Sequence, residues 1–287
     1  MMKLRMKTII VWTNYMLMLV VAFALYMTCE KNYRHSLALS NIGDDDNEKK
    51  TVLWTCILYH AKGRILPPIK YNHEYERFLF SSFLHASRNH LALNLVFQWF
   101  VSKIVHDYYS VTELLFTSYY ALVPANILAG TLQPTELSVG LSGVVHSYIG
   151  LLIVQSLTFI LFVPNQSRRM KFQYAFYIGL SITIIRLSMG LSSDNVNHLV
   201  GLLVGISVGV IKFLGFKEEL TESSMAKKFY RNSILFIKSS LIVVPLMALG
   251  WMFFVYERKE DEAAAIWNMG CGFTNEYTFE HHPQPIF

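Results

Sequence analysis

Three short stretches of this chain carry side chains suited to nucleophilic or acid–base chemistry. The first is Gly140-Leu141-Ser142-Gly143, a hydroxyl set between glycines. The second holds His85, His90 and Asn94, and the third holds Asn197 and His198 followed by Gly201 and Gly205. A serine hydroxyl is a weak nucleophile until a base takes its proton, and imidazole is the usual base. Amide, imidazole and backbone N–H donors can hold the oxyanion that forms when a carbonyl is attacked. Together these types make the inventory of a nucleophilic hydrolase. Each piece alone has a plainer reading. A serine flanked by glycines in an apolar helix often marks close helix packing, and a lone histidine there often serves as a packed polar contact or proton relay. The chemistry therefore depends on whether the elements that carry these residues bring them together.

Those elements are membrane spans. Of the 287 residues, 53% are hydrophobic and 16% charged, with a mean hydropathy of +0.34. An ordinary soluble domain has about 25% charged residues, so the charge is too sparse to coat a water-soluble surface. The apolar residues gather in seven blocks, at 8–28, 91–104, 112–132, 138–163, 172–191, 196–214 and 234–255. Several reach the length of about 20 residues that a helix needs to cross the hydrocarbon core. The fold class is an all-α polytopic membrane protein. This composition excludes a soluble enzyme, a disordered tail, a collagen and a disulfide-stapled miniprotein. The net charge of +5 comes from basic residues in short links between blocks, which reads as topology rather than as a nucleic-acid surface. The first block follows Lys3, Arg5 and Lys7, but it is longer than a signal-peptide core and no small-residue cleavage site ends it. It reads as an uncleaved anchor.

Basic residues set the orientation. With a cytosolic N-terminus, the cytosolic segments hold Lys103, Arg168, Arg169, Lys171, Lys212, Lys217, Lys227, Lys228 and Arg231, while the opposite links after the third and fifth blocks are nearly free of them. Seven spans then place the C-terminal tail on the lumenal or exterior side. The long loop from Cys29 to Arg88 lies on that side too, with an acidic run at 44–46 and Glu48 as solvated surface. The aromatic stretch at 54–59 and the Pro67-Pro68 pair suggest partial structure lying on the membrane. All three cysteines, Cys29, Cys56 and Cys271, face the oxidising side, which permits one disulfide and leaves one free thiol, and the sequence does not say which pair, if any, forms. The spacing of these cysteines does not suit a metal, and no cofactor is implied. The Asn165-Gln166-Ser167 sequon falls in a cytosolic link and is expected to stay unglycosylated.

In this topology the second, fourth and sixth spans all run inward from the same face. His90, Ser142 and His198 each lie a few residues into their span. At about 1.5 Å of rise per residue they share one depth, in the outer third of the bilayer. Peptide hydrolysis needs water, so an open polar cavity near that face is expected.

At these residues the chain resembles the rhomboid intramembrane serine proteases. The matching motifs are His85-x4-His90-x3-Asn94, Gly140-Leu141-Ser142-Gly143 and His198-x2-Gly201-x3-Gly205, in the family's order on the second, fourth and sixth spans. The resemblance covers 76–214 and implies a six-helix bundle, completed by the first span, with a seventh C-terminal span as in eukaryotic secretory-pathway members. The chain then divides into an anchor and lumenal loop at 1–75, a catalytic core at 76–214, a cytosolic link at 215–233, the extra span at 234–255 and a tail at 256–287.

The resemblance implies Ser142 as nucleophile and His198 as its base, a dyad with no carboxylate. His90 and Asn94 would donate to the oxyanion, together with the backbone N–H groups of Ser142 and Leu141. Gly140, Gly143, Gly201 and Gly205 would allow the turn and close packing, and Arg77 would seat the first loop. The chain departs from the family's pattern at several positions. Glu76 stands where tryptophan is usual, His146 replaces a tyrosine beneath the base, and Asn197 precedes the base where a small residue is usual. His106 and Ser110 stand where a glutamate and a glycine commonly follow the second span. The implied substrates are single-span proteins with small or helix-weakening residues near the lumenal end of the span. The implied compartment is the secretory pathway, since no mitochondrial presequence and no ER-retrieval tetrapeptide is expected. The alternatives are a catalytically inactive rhomboid-like scaffold that binds membrane clients, and a seven-span receptor or proton-coupled transporter. Ser142 and His198 argue against the scaffold. The charge bias and the lack of two related halves argue against the receptor and the transporter.

Overall fold

The computed structural model describes residues 2–39, 46–163, 166–191 and 194–254, all helix and connecting loop apart from one isolated bridge between Arg64 and Ser138. The helices are α1 (Met2–Leu39), α2 (Asn47–His60), α3 (Leu66–Tyr71), α4 (Arg77–Phe80), α5 (Arg88–Val105), α6 (Val111–Leu122), α7 (Pro124–Leu132), α8 (Ser142–Phe162), α9 (Arg168–Leu191), α10 (Asn195–Leu220) and α11 (Ser224–Phe254). Asp44, Asp45, Asn165, Cys271 and the tail at 256–287, on which expectations were placed above, lie outside the described residues.

Each apolar block is largely helical, the fourth only from Ser142 because residues 138–141 form a bridge and turn before α8, and two further differences stand out. The third block is broken into α6 and α7 at Pro124, whose ring removes a backbone donor and clashes with the preceding turn. Among the described residues six stretches are long and apolar enough to cross a membrane, with α6 and α7 together forming one of them. The second block, α5, falls short of that standard because Arg88, Asn89, His90, Asn94, Gln98 and Lys103 lower the hydropathy of its 18 residues. Asn94, Gln98 and Ser102 lie on its buried side, so α5 is held by its neighbours as much as by lipid.

Packing follows apolarity. α8 is apolar all round and buried along most of its length, which makes it the central helix. α5, α6, α9 and α10 surround it. α11 lies outside the ring against α7 and α10, where the Tyr120 hydroxyl bonds the carbonyl of Leu241. Large apolar side chains on the outer faces of α9 and α11, among them Phe172, Phe176, Leu235 and Phe236, are exposed, as a hydrocarbon surrounding requires.

The long loop is more ordered than its sequence suggests. α2 packs beside α1, burying Leu53, Ile57 and Leu58 with Cys29 and Leu84, and Trp54 donates to the carbonyl of Ala86 at 2.6 Å. Leu66, Ile69 and Phe78 form a second cluster with Ile127, Ala248 and Met252, so the end of α11 supports the loop from below. Cys56 is disulfide-bonded, whereas Cys29 is free and buried.

Candidate active site

Ser142 is the first residue of α8. Its backbone N–H therefore has no acceptor within the helix and points out of the positive end of the helix dipole. The turn that delivers it passes through Gly140, whose φ of 126° lies where L side chains rarely go. A Cβ at Gly140 would stand 2.8 Å from Cε1 of His90 and 3.5 Å from Nδ2 of Asn94. The backbone thus passes directly under these two side chains because position 140 has none. The Gly140 N–H donates to the carbonyl of Ser81 at 2.9 Å, tying the turn to the loop.

α5 brings its pair from the other side. Ser87 caps the helix by accepting from the His90 N–H at 3.1 Å, and Asn94 follows one turn later on the same face. The Asn94 Nδ2 is buried with no acceptor among the described residues, which leaves a donor available beside the Gly140 turn. His85 lies edge-on to His90, ring centroids 5.2 Å apart, with its Nδ1 3.1 Å from the carbonyl of Phe83.

α10 supplies His198 one turn into the helix, and a glycine seam presses it onto α8. A Cβ at Gly201 would collide with the carbonyl of Gly143, one at Gly205 with the carbonyl of Ser147, and one at Gly150 with the backbone of α10. The two helices touch backbone to backbone. Asn197 fits into the same seam: its side chain lies where Gly143 has none, 3.0 Å from where a Cβ would be. The close approach of α8 and α10 therefore coexists with a residue larger than the family's usual one.

The His198 ring stacks on His146, centroids 4.3 Å apart and planes 10° apart. His146 is held at both nitrogens, Nδ1 2.7 Å from the carbonyl of Ser142 and Nε2 2.8 Å from the hydroxyl of Ser188 on α9. The His198 nitrogens have no partner among the described residues, so stacking rather than hydrogen bonding fixes its plane. Ser142 is 5% exposed and His198 3%. Both side chains are thus covered, in contrast to the open polar cavity expected from the sequence.

The structure thus gathers Ser142, Leu141, Gly140, His90, Asn94, His146, Asn197 and His198 at one end of the bundle. Arg77 sits apart, buried in the loop, where Nε donates to Glu74 at 2.6 Å and Nη1 to the carbonyls of Tyr59 and Gly63 at 2.7 and 2.8 Å. Glu76 pairs with Lys62 at 3.1 Å rather than entering the membrane. His106 and Ser110 lie at the far end of α5. There His106 is 2.9 Å from Asp107, and Ser110 forms a capping box with Glu113 that starts α6. Two buried groups near the site, Arg64 and Asp194, were not singled out from sequence. Asp194 directly precedes the stretch that carries His198, whereas Arg64 lies in the long loop, far in sequence from every motif. Among the described residues no cluster of His, Cys, Asp and Glu could hold a metal ion.

Comparison with known proteins agrees with this arrangement. A family model described as the rhomboid domain matches residues 72–215, half of the chain. A curated relative, rhomboid-like protease 3 of Toxoplasma gondii, is 30% identical over 147 residues, which is 51% of this chain and 55% of that protein. The chain therefore matches just over half the length of this relative. The match spans α4 to α10, the helices that carry every residue of the cluster, and this multi-pass integral membrane protein belongs to the rhomboid family of intramembrane proteases.

Proposed function

We propose that this protein is an active serine endopeptidase that cuts single-span membrane proteins within or near the lumenal end of their spans. The observation that carries the reading is the His198–His146 stack at 4.3 Å, with His146 bonded to the carbonyl of Ser142 at 2.7 Å. It sets an imidazole beside a serine at a helix N-terminus. His198 takes the Ser142 proton as Oγ attacks the scissile carbonyl, then returns it to the leaving amine. Water, activated by the same ring, cleaves the acyl-enzyme ester and regenerates the serine. The Asn94 amide, His90 and the Ser142 and Leu141 N–H groups hold the oxyanion, and a helix dipole adds to them.

A spanning helix has its amides internally bonded, so segments weakened by small residues or helix breakers are the ones that present an extended bond. The charge bias supports a cytosolic N-terminus, which would set the site in the lumenal leaflet, and a secretory-pathway membrane is part of this reading.

The test is labelling of detergent-solubilised protein with a fluorophosphonate serine-hydrolase probe. Wild type is expected to label and folded Ser142→Ala and His198→Ala not to. Asn94→Ala, which removes one oxyanion donor, is expected to lower turnover about 100- to 1,000-fold. A folded wild type that fails to label would support the inactive scaffold instead.

A further inference from the structure

Behind the dyad, a buried polar cluster ties together elements that the chemistry above does not use. Asp194 lies four residues before His198, and Ser138 four residues before Ser142. Asp194 occupies the N-cap position of α10 yet makes no side-chain capping bond. Its carboxylate turns away from the helix, accepting from the Ser138 hydroxyl and, at 3.1 Å, from Nη2 of Arg64. Arg64 and Ser138 also exchange backbone N–H to carbonyl bonds, at 3.0 and 2.9 Å. The other arm of Arg64 donates to Oδ1 of Asn126 at 3.1 Å. Asn126 in turn donates to the carbonyls of Phe78 and Leu122 and to the Ser82 hydroxyl, at 3.1, 2.8 and 2.7 Å. Arg64 is 0% exposed and Asp194 8%, so the pair is cut off from water.

A buried ion pair adds little stability over apolar residues of the same volume, because desolvation offsets the attraction. What it has in addition is direction. An aspartate at an N-cap ordinarily bonds the first turn of its own helix, and here that use is forgone. The glycine seam presses α8 and α10 together laterally, but two smooth backbone surfaces have few knobs to stop them sliding or rotating. The cluster lies just beyond the ends of both helices, where such motion is largest.

We propose that Arg64 and Asp194 are a positioning pair that joins the nucleophile's turn and the base's helix to one point and so sets the Ser142–His198 separation. The proposal rests on the dyad assigned above. From Asp194 to His198 is about one helical turn, roughly 6 Å, so a displacement at the clamp reaches the imidazole almost undiminished. A misplacement of about 1 Å can cost on the order of 100-fold in rate.

The experiment compares wild type, Arg64→Met, the double variant Arg64→Met with Asp194→Leu, Ser138→Ala and Ser142→Ala in one detergent. Each is scored for thermal midpoint and for fluorophosphonate inactivation resolved into kinact and KI. Arg64→Met leaves an unpaired buried carboxylate and is expected to lower the midpoint. The double variant leaves no charge and is expected to regain the midpoint while kinact stays about 100-fold low with KI unchanged. A double variant with both wild-type midpoint and wild-type kinact overturns the proposal, since the pair would then be structural only. If the double variant does not fold, Ser138→Ala decides, because it removes only the hydroxyl link. A fall in its kinact at unchanged midpoint sustains the clamp, and a wild-type kinact ends it. Labelling of Ser142→Ala at the wild-type rate would instead sink the dyad itself, whatever the clamp variants do.

Discussion

α10 and α9 flank the same central helix and hold it in opposite ways. On α10, a methyl group added at Gly201 or Gly205 would land on the backbone of α8. On α9, a methyl group added at Gly179 or Gly190 would meet nothing within 4 Å. α9 reaches the core through a few residues, Ser181, Ile184 and the Ser188 hydroxyl among them, and most of its surface is exposed. The difference teaches where precision is needed. His198 and Ser142, the proposed base and nucleophile, sit on the two helices that cannot part without breaking backbone contact. The more loosely packed helix carries none of the proposed reacting groups and meets the site through the Ser188–His146 hydrogen bond.

The largest expected break of this contrast comes from matched glycine substitutions. Gly205→Leu should force α8 and α10 apart, costing about 1–3 kcal/mol or more and abolishing probe labelling. Gly179→Leu should stay within about 0.5 kcal/mol of wild type. Thermal unfolding of both in one detergent checks the pair, and equal losses would mean that the seam is not special.

A smaller effect sharpens the contrast inside the seam. Gly143→Ala should be destabilising because its methyl group meets the Asn197 side chain. Adding Asn197→Ala should restore much of the loss, with a coupling of about 0.5–3 kcal/mol, read from the double-mutant cycle. Additive losses would show that Asn197 yields readily.

The smallest effect concerns the loop rather than the seam. Burial pushes the Glu74 carboxyl up, but Lys62 and Arg77 outweigh it and hold it below the ordinary carboxylate value. A depressed carboxylate contributes stability that is present above its ordinary pKa of 4.5 and lost as pH falls through the lowered value. Acidification below about pH 4.5 should therefore lower the protection of amides around Arg77, measured relative to the intrinsic exchange rate at each pH, before it affects α8 and α10. Simultaneous exchange in both regions would contradict the independence of loop and seam.

Much of the bundle could be read from the sequence because lipid enforces a simple code of long apolar blocks broken by basic links. The break at Pro124 lay within such a block, and a proline there was compatible with one continuous span. The loop was harder. α2, α3 and α4 are short, and their burial is decided by Cys29 on α1 and by Ala248 and Met252 on α11, partners far away in the chain. At the candidate site, the positions of Ser142, His198, His90 and Asn94 followed from spacing and depth. The His146–His198 stack and the way Asn197 fills the space left by Gly143 are three-dimensional facts that spacing left open. Arg64 and Asp194 escaped notice because their meaning lies in pairing across 130 positions.

The ring beneath the base has a further consequence. A carbonyl only accepts, so Nδ1 of His146 carries the proton toward Ser142, and Nε2 receives the hydroxyl of Ser188. Ser188 has a second acceptor at hand, the carbonyl of Ile185 at 2.9 Å. It can release His146 without leaving its own hydroxyl stranded, so the link works as a low-cost latch.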